Sequence, residues 1–131
     1  MSLARLALHL AVLSVALAAF CGAATIKRST APKRIGCFAD RIERDLDGYE
    51  LRSAGIHVKN CLRLCTIKKF RYAGMQARDW CHCGNSYGRY GQVADSECKL
   101  KCSGNIWKDN YWVSGGTCGG HWRNEVYSTG L

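Results

Sequence analysis

The sequence contains almost no proline and no repetitive segment. Pro32 is its single proline, and the stretch of residues 35–127 that follows has no low-complexity tract and no internal repeat. These absences exclude a proline-rich linker or a repeat array within that stretch. They indicate one continuous domain, which is all that a chain of this length can form once its N-terminal segment is set aside.

Motifs for catalysis are also absent. No G-x-S-x-G, H-E-x-x-H or phosphate-binding loop occurs in the sequence. The acidic residues between positions 40 and 47 alternate with arginines, which is typical of a solvated, ion-paired segment. A glycoside hydrolase needs two carboxyl groups that face each other at a fixed separation. We therefore expect the chain not to be an enzyme and to need no cofactor.

The first 24 residues have the organisation of a secretory signal peptide. One early cation, Arg5, precedes an apolar stretch over residues 6–20, and the small residues Gly22 and Ala24 follow. Roughly 15 apolar residues are fewer than the 18 or more that a membrane span needs, and no second run of that length follows. We therefore expect residues 1–24 to be removed and the product to be secreted, without a membrane span.

Residues 25–34 form a basic segment with two dibasic pairs, Lys27–Arg28 and Lys33–Arg34. The full chain has a formal charge of +9, which becomes +8 without residues 1–24 and +4 if the chain begins at Ile35. Both a cleaved propeptide and an uncleaved basic linker fit this pattern. In either case the sequence predicts a domain that comprises residues 35–131.

Eight of the nine cysteines remain when Cys21 is removed with the signal peptide. An even number in an exported chain predicts disulfides, and each can add roughly 2–4 kcal/mol to a domain with a small core. A zinc site around Cys81, His82 and Cys83 is the alternative. Thiols oxidise outside the cell and no C-x2-C motif is present, so we expect four disulfides and no metal.

Residues 57–69 are the clearest helix candidate, because apolar residues recur there at i, i+3, i+4 and i+7. Cys61 and Cys65 lie on one face of this helix, while Cys81 and Cys83 are two apart in a predicted strand and share one face of a sheet. Two bridges between helix and strand follow, in either a parallel or a crossed arrangement. The predicted class is α+β: a small disulfide-rich domain, an antiparallel sheet with one helix packed across it.

Three further elements have weaker signals. The segment FRYAGMQARDW alternates and carries aromatic residues, which predicts a strand and a turn. Residues 96–102 indicate a short turn or helix. Residues 121–128 are compatible with a final strand.

Several blocks of the sequence resemble the WSC domain, a cysteine-rich extracellular module. Within residues 36–127 they are GCFAD, the C-x3-C of NCLRLC, FRYAGMQ, CHCGN, the C-x3-C of CKLKC, and CGG. Eight cysteines in this order, with the YAG and CGN blocks between them, make the resemblance specific. It implies a fold similar to PAN/apple domains and a role in binding polysaccharides.

The resemblance also implies a pairing of the cysteines. Carried onto this chain, the expected bridges are Cys37–Cys98, Cys61–Cys81, Cys65–Cys83 and Cys102–Cys118. The loop closed by the last bridge is longer than is usual in the family, and three aromatic residues lie within it.

Candidate carbohydrate contacts lie in two loops. Aromatic rings pack on the C–H faces of sugars, while amide and charged groups bind the hydroxyls at the edge. The predicted contacts in these loops are Trp107, Lys108, Asp109, Tyr111 and Trp112, followed by Tyr87, Arg89 and Tyr90 of the segment SYGRYGQ. Trp80, Tyr72 and Trp122 neighbour cysteines or lie in predicted strands, and we expect them to belong to the core.

These features predict a secreted polysaccharide-binding WSC module, as a component of extracellular matrix or cell wall. A secreted cationic effector, such as an antimicrobial or venom-type peptide, is the alternative suggested by charge, dibasic pairs and disulfides. A matrix module that binds another protein is a third. Export makes nucleic acid an unexpected partner despite the basic composition, and the sequence sets no oligomeric state.

Overall fold

The computed structural model describes residue 25 and residues 27–131; the predicted signal peptide lies outside the described residues. Eight strands and one α-helix are found there, with a short 3-10 helix at Asp95–Glu97. In chain order the elements are β1 (Lys33–Ala39), β2 (Tyr49–Arg52), α1 (Val58–Ile67), β3 (Tyr72–Gln76), β4 (Trp80–Gly84), β5 (Gln92–Val93), β6 (Asn105–Lys108), β7 (Tyr111–Ser114) and β8 (Arg123–Ser128).

Six of the strands form an antiparallel sheet in the order β2-β4-β3-β8-β1-β5, and β6 and β7 form a separate hairpin. The last strand, β8, lies between β3 and β1, so the end of the chain holds the two halves of the sheet together. Such non-local pairing is strengthened by cross-links in a domain this small.

Helix α1 begins with a capping box. The Nδ1 atom of His57 accepts a hydrogen bond from the backbone N–H of Asn60 at 3.2 Å, and the Asn60 Oδ1 accepts one from the N–H of His57 at 2.8 Å. Two of the backbone N–H groups that a helix start leaves unpaired are thereby satisfied. Burial, and to a smaller extent Lys59, lowers the pKa of His57, which favours the unprotonated form of the accepting nitrogen.

The helix covers one face of the sheet, and this face is called the helix face. Cys61 and Cys65 on the helix bond to Cys81 and Cys83 on β4, and all four are fully buried. Ile56, Ala73 and Met75 complete the buried core there. The remaining bridges are Cys37–Cys98 and Cys102–Cys118, so the four disulfides are the pairs that the family resemblance implies.

Loops cover the opposite side of the sheet, which is called the loop face. Leu46 fills the space above Gly74, where an added Cβ would lie 2.4 Å from the Leu46 Cδ1. Asp45 is buried, and its two carboxylate oxygens accept hydrogen bonds from the backbone N–H groups of Gly88 and Arg89, each at 2.8 Å. One carboxylate thus joins the two loops of this face.

The predicted fold class is confirmed. The helix is shorter than predicted because residue 57 caps it and Lys68 and Lys69 close it, with Lys69 at φ 68°. The expected final strand begins at Arg123 rather than at residue 121. No helix among the described residues is long and apolar enough to cross a membrane.

Candidate functional site

The first group of predicted contacts lies on the β6–β7 hairpin. Trp107 is 56% exposed, and in the backbone register it is the partner of Trp112, as Lys108 is of Tyr111. Asp109 and Asn110 form the turn with φ values of 48° and 67°, the left-handed backbone that a tight two-residue hairpin turn requires. The structure therefore places the exposed ring of Trp107 close to the tip of a hairpin. The side chains of Tyr111 and Trp112 lie outside the described part of the chain.

The second group is the loop with Tyr87, Arg89 and Tyr90. Tyr87 packs edge-on against Tyr72 and Phe38, with ring centroids 4.7 and 5.1 Å apart. Its ring is largely engaged within the domain, although 37% of the residue is exposed. The Tyr90 hydroxyl donates to the backbone carbonyl of Glu43.

Arg89 and Tyr90 lie in the outer part of this loop. The guanidinium of Arg41 lies 4.7 Å from the centre of the Tyr90 ring, and Arg89 approaches Asp47 at 3.5 Å. Residues 41–43 and Tyr90 line an open pocket of about 400 Å³. Tyr90 and Arg89 therefore remain candidate contacts.

The two predicted groups lie on different sides of the domain. The base of the hairpin hydrogen-bonds to the helix region, where the N–H of Val58 donates to the carbonyl of Gly115 at 3.2 Å. The loop is instead bound to Asp45 on the loop face. The structure does not bring the predicted contacts together in one site.

A third aromatic group, which the sequence did not predict as a site, lies on the loop face. The guanidinium of Arg44 is 5.8 Å from the ring centre of Trp80 and 5.3 Å from that of Trp122. Its Nη1 donates to Asp40 at 3.0 Å, and its Nε lies 3.3 Å from Glu50. Two carboxylates therefore fix the cation against both indoles, an arrangement called the Trp–Arg–Trp cluster.

Trp122 is exposed and strained. The residue is 46% exposed, which shows that the prediction of a core position for it was wrong. It forms the second corner of a two-residue turn closed by mutual hydrogen bonds of Gly120 and Arg123, and its φ is 56°. A bulky residue in this left-handed region is rare and costs roughly 1–3 kcal/mol, and such residues concentrate at functional sites.

Buried polar groups lie beneath the cluster. His82 stacks on Trp80, with ring centroids 5.7 Å apart and planes 7° apart. Its two ring nitrogens have no hydrogen-bond partner within the described chain, nor do Gln76 Oε1 and the side-chain amide of Asn124. The Nδ1 of His82 is 3.4 Å from Glu50 without the geometry of a hydrogen bond.

The electrostatics keep His82 neutral. Burial is the main cause, with Arg44 adding to it, and the pKa of His82 is lowered to about 4 although Asp40 and Glu50 act in the opposite direction. A neutral imidazole with two unsatisfied nitrogens is an unusual component of a core, since buried polar groups are almost always paired. The helix face has no comparable group in the part of the chain that is described.

An open pocket adjoins the cluster. Its volume is about 600 Å³, within the usual range for small-ligand sites of about 300–1,000 Å³, and it is lined by Ile42, Arg44, Leu46 and residues 47–50. The sequence feature that could have indicated this site is the pair of glycines before His121 and Trp122. Glycines at a strand entry indicate a turn, and a turn exposes its corner residues.

Metal binding is not supported by the cysteines. The sulfur atoms of Cys61, Cys65 and Cys81 lie within 4.8 Å of one another, but all belong to disulfides and offer no thiolate. The fold and these surfaces define a small disulfide-rich α+β module of extracellular or lumenal type, in which cysteines stabilise the fold and loops offer contacts.

The chain belongs to the WSC domain family, whose model matches residues 34–120. WSC domains are in general extracellular, carbohydrate-binding modules. The chain is 30% identical over 101 residues to Kremen protein 1 of Homo sapiens, covering 75% of this chain and 20% of that protein. It is 32% identical over 105 residues to Xylosyltransferase oxt of Drosophila pseudoobscura pseudoobscura, covering 78% of this chain and 11% of that protein.

In a third relative, too, the similarity covers only a short part of the relative's length. The WSC domain-containing protein of Arthroderma benhamiae is 28% identical over 98 residues, which are 72% of this chain and 10% of that protein. The chain thus spans only a tenth to a fifth of the length of these relatives. The similarity therefore covers the WSC module and not the remainder of these larger proteins.

Proposed function

We propose that this chain is a secreted module that binds polysaccharide, and that its principal contact surface is the Trp–Arg–Trp cluster. The observation that carries the proposal is Trp122, an exposed indole held in a strained backbone conformation against a fixed guanidinium. Bulky residues in strained backbone conformations cluster at functional sites, which supports this choice of surface.

The chemistry of the cluster suits a neutral sugar. The exposed part of Trp122 offers an apolar face for sugar C–H groups, and the Arg44–Glu50 pair beside it offers donors and acceptors for hydroxyls. Both arginines at Trp80 are already neutralised, Arg44 by two carboxylates and Arg52 by Asp79 at 2.8 Å. A surface without excess charge favours neutral glycans over anionic ones.

The hairpin is a second, independent contact region in this proposal. Trp107 presents an exposed ring with Lys108 and Asp109 beside it, all on the turn side of β6. Tyr111 and Trp112 complete this candidate set, and Arg89, Tyr90 and Tyr87 border the loop face. The base of the hairpin is fixed to the turn before Trp80, since the N–H of Ser103 donates to the carbonyl of Arg78 at 3.0 Å.

Retention on insoluble β-glucan, xylan and chitin tests the proposal. The secreted protein should bind at least one of them saturably. The variant Trp107→Ala should weaken retention less than Trp122→Gly does. Ile67→Ala is the matched control, because Ile67 is an exposed apolar residue on the helix, 65% exposed, and outside both surfaces. Failure of the wild-type protein to bind any polysaccharide of the panel would contradict the proposal.

Salt dependence separates this function from that of a cationic effector. Contacts through Trp122 should be nearly unchanged between about 0.1 and 1 M salt, while attraction between exposed charges fades as the Debye length falls from about 10 to 3 Å. Membrane permeabilisation that weakens steeply with salt, together with no polysaccharide binding, would favour the effector instead.

A further inference from the structure

The two dibasic pairs near the start of the described chain have different structural settings. Sequence alone leaves open whether either pair is cut, since both have the form Lys-Arg. A protease must bind an extended, accessible segment of several residues, so local structure decides which bond it reaches.

The second pair is part of the sheet. Lys33 and Arg34 are the first two residues of β1 and are paired with Ser128 and Tyr127 of β8. The Lys33 N–H donates to the Ser128 Oγ at 3.1 Å. Cleavage after Arg34 would require β1 to leave its neighbour.

The Arg34 side chain is also held. Its guanidinium donates to Glu125 and to Asp95, each at 2.9 Å. The Glu125 side chain is only 3% exposed, and it also accepts from the Thr117 hydroxyl and the Gly119 N–H. Removing Arg34 would leave this buried carboxylate without its cation, which is strongly destabilising.

The first pair lies outside the sheet, where it borders an open surface pocket together with Lys69, Arg71 and Leu131. Lys27 and Arg28 are exposed and belong to no strand, and neither forms an ion pair within the described residues. Fixed contacts begin with the next residue: the Ser29 hydroxyl and the Thr30 N–H both donate to the carbonyl of Gly130, at 3.2 and 2.9 Å. In the described part of the chain, the hydrogen bonds that join this segment to the domain therefore begin immediately after Arg28.

We propose that the Arg28–Ser29 peptide bond is a processing site for a Lys-Arg-specific serine endoprotease of the secretory pathway, and that the Arg34–Ile35 bond is protected by the fold. Hydrolysis adds one water, leaving a carboxylate on Arg28 and an ammonium group on Ser29. The product retains β1, the Arg34–Glu125 pair and the contacts to Gly130. Its formal charge is +6, between the values for chains that begin at Thr25 and at Ile35.

The test uses the full chain expressed with its own N-terminal segment in a secreting host that lacks such an endoprotease. The purified oxidised protein is incubated with a purified Lys-Arg endoprotease and followed by intact mass. We expect one product that begins at Ser29, with cleavage after Arg34 at least roughly 100-fold slower, because that bond opens only by local unfolding. Reduction and denaturation should make both bonds cleavable.

Two variants make the assignment specific. Arg28→Gln should abolish cleavage of the folded protein. Lys33→Gln breaks the second dibasic pair but keeps the Arg34–Glu125 ion pair, and it should leave the rate at Arg28 within about twofold of wild type. Cleavage of folded Arg28→Gln after Arg34, or folded wild type that resists at Arg28, would overturn the proposal.

Discussion

The two faces of the central sheet differ although the same strands build both. In β4, Cys81 and Cys83 point to the helix face and bond to Cys61 and Cys65. The residue between them, His82, points to the loop face, where its two nitrogens have no partner within the described chain. Successive side chains of a strand point to opposite faces, so β4 places its disulfides and apolar contacts on one face and its polar and aromatic groups on the other.

This difference assigns stability and binding to opposite sides of the domain. The helix face is closed by disulfides and buried side chains, so changes there should reduce the free energy of unfolding. The loop face carries an exposed strained indole, a fixed guanidinium and unsatisfied polar groups, so changes there should alter ligand binding more than stability. Four predictions test this contrast, from the largest expected effect to the smallest.

Removal of a helix-face bridge should have the largest effect. In the double variant Cys65→Ala/Cys83→Ala, the bridge that is lost joins residues 18 apart. Restricting a loop of that length in the unfolded chain contributes about 3 kcal/mol, a large part of the stability of a small domain. Chemical denaturation measures the loss, and a loss below about 1 kcal/mol would contradict the role given to this face.

Acid should destabilise the domain through His82. Its pKa is about 4 in the folded protein and ordinarily 6.5, so the unfolded chain takes up the proton first as pH falls. Stability is then fully present above pH 6.5 and declines toward pH 4, by about 2–3 kcal/mol in total.

The difference in stability between wild type and His82→Gln, measured from pH 7 to pH 4, isolates this effect from the titration of carboxylates. The variant should show a shallower decline, whereas His121→Gln, which changes an exposed histidine, should follow wild type. Equal pH slopes for wild type and His82→Gln would show that His82 is not held neutral by burial.

Replacement of Trp122 should change stability little. Trp122→Gly relieves a backbone cost of roughly 1–3 kcal/mol. This gain is offset by the loss of a cation–π contact worth about 0.5–1 kcal/mol, by the loss of the buried half of the residue, and by the entropy added to the unfolded chain. We therefore expect a thermal midpoint close to that of wild type. A midpoint lower by 10 °C or more, about 1–2 kcal/mol for a domain of this size, would make Trp122 a structural residue.

Replacement of Trp107 should have the smallest effect on stability. The residue is mostly exposed on a hairpin outside the main sheet, so Trp107→Ala should change the free energy of unfolding by about 0.5 kcal/mol or less. Thermal denaturation measures it, and a loss above about 2 kcal/mol would show that the hairpin is part of the core.

Much of the helix face was predictable from sequence because its signals are local. The apolar spacing of residues 57–69 and the positions of Cys61, Cys65, Cys81 and Cys83 predict a helix fixed to a strand without any knowledge of the rest. The choice between parallel and crossed bridges was not local, and the family resemblance supplied it.

The loop face was not predictable in the same way. Arg44, Trp80 and Trp122 are far apart in sequence and meet only because β8 lies between β3 and β1. Trp122 falls within the predicted final strand, residues 121–128, which favoured a core position, whereas the residue lies at the corner of a turn with left-handed backbone. The hairpin was identified as an aromatic loop, but its register and distance from the second loop depend on long-range contacts.

The most direct test of the account compares Trp122→Gly with wild type in affinity and stability together, using the polysaccharide that wild type retains. We predict affinity lower by at least about tenfold, equivalent to 1.4 kcal/mol, with the free energy of unfolding nearly unchanged. Unchanged affinity, or a loss of affinity matched by an equal loss of stability, would contradict the assignment of binding to the loop face.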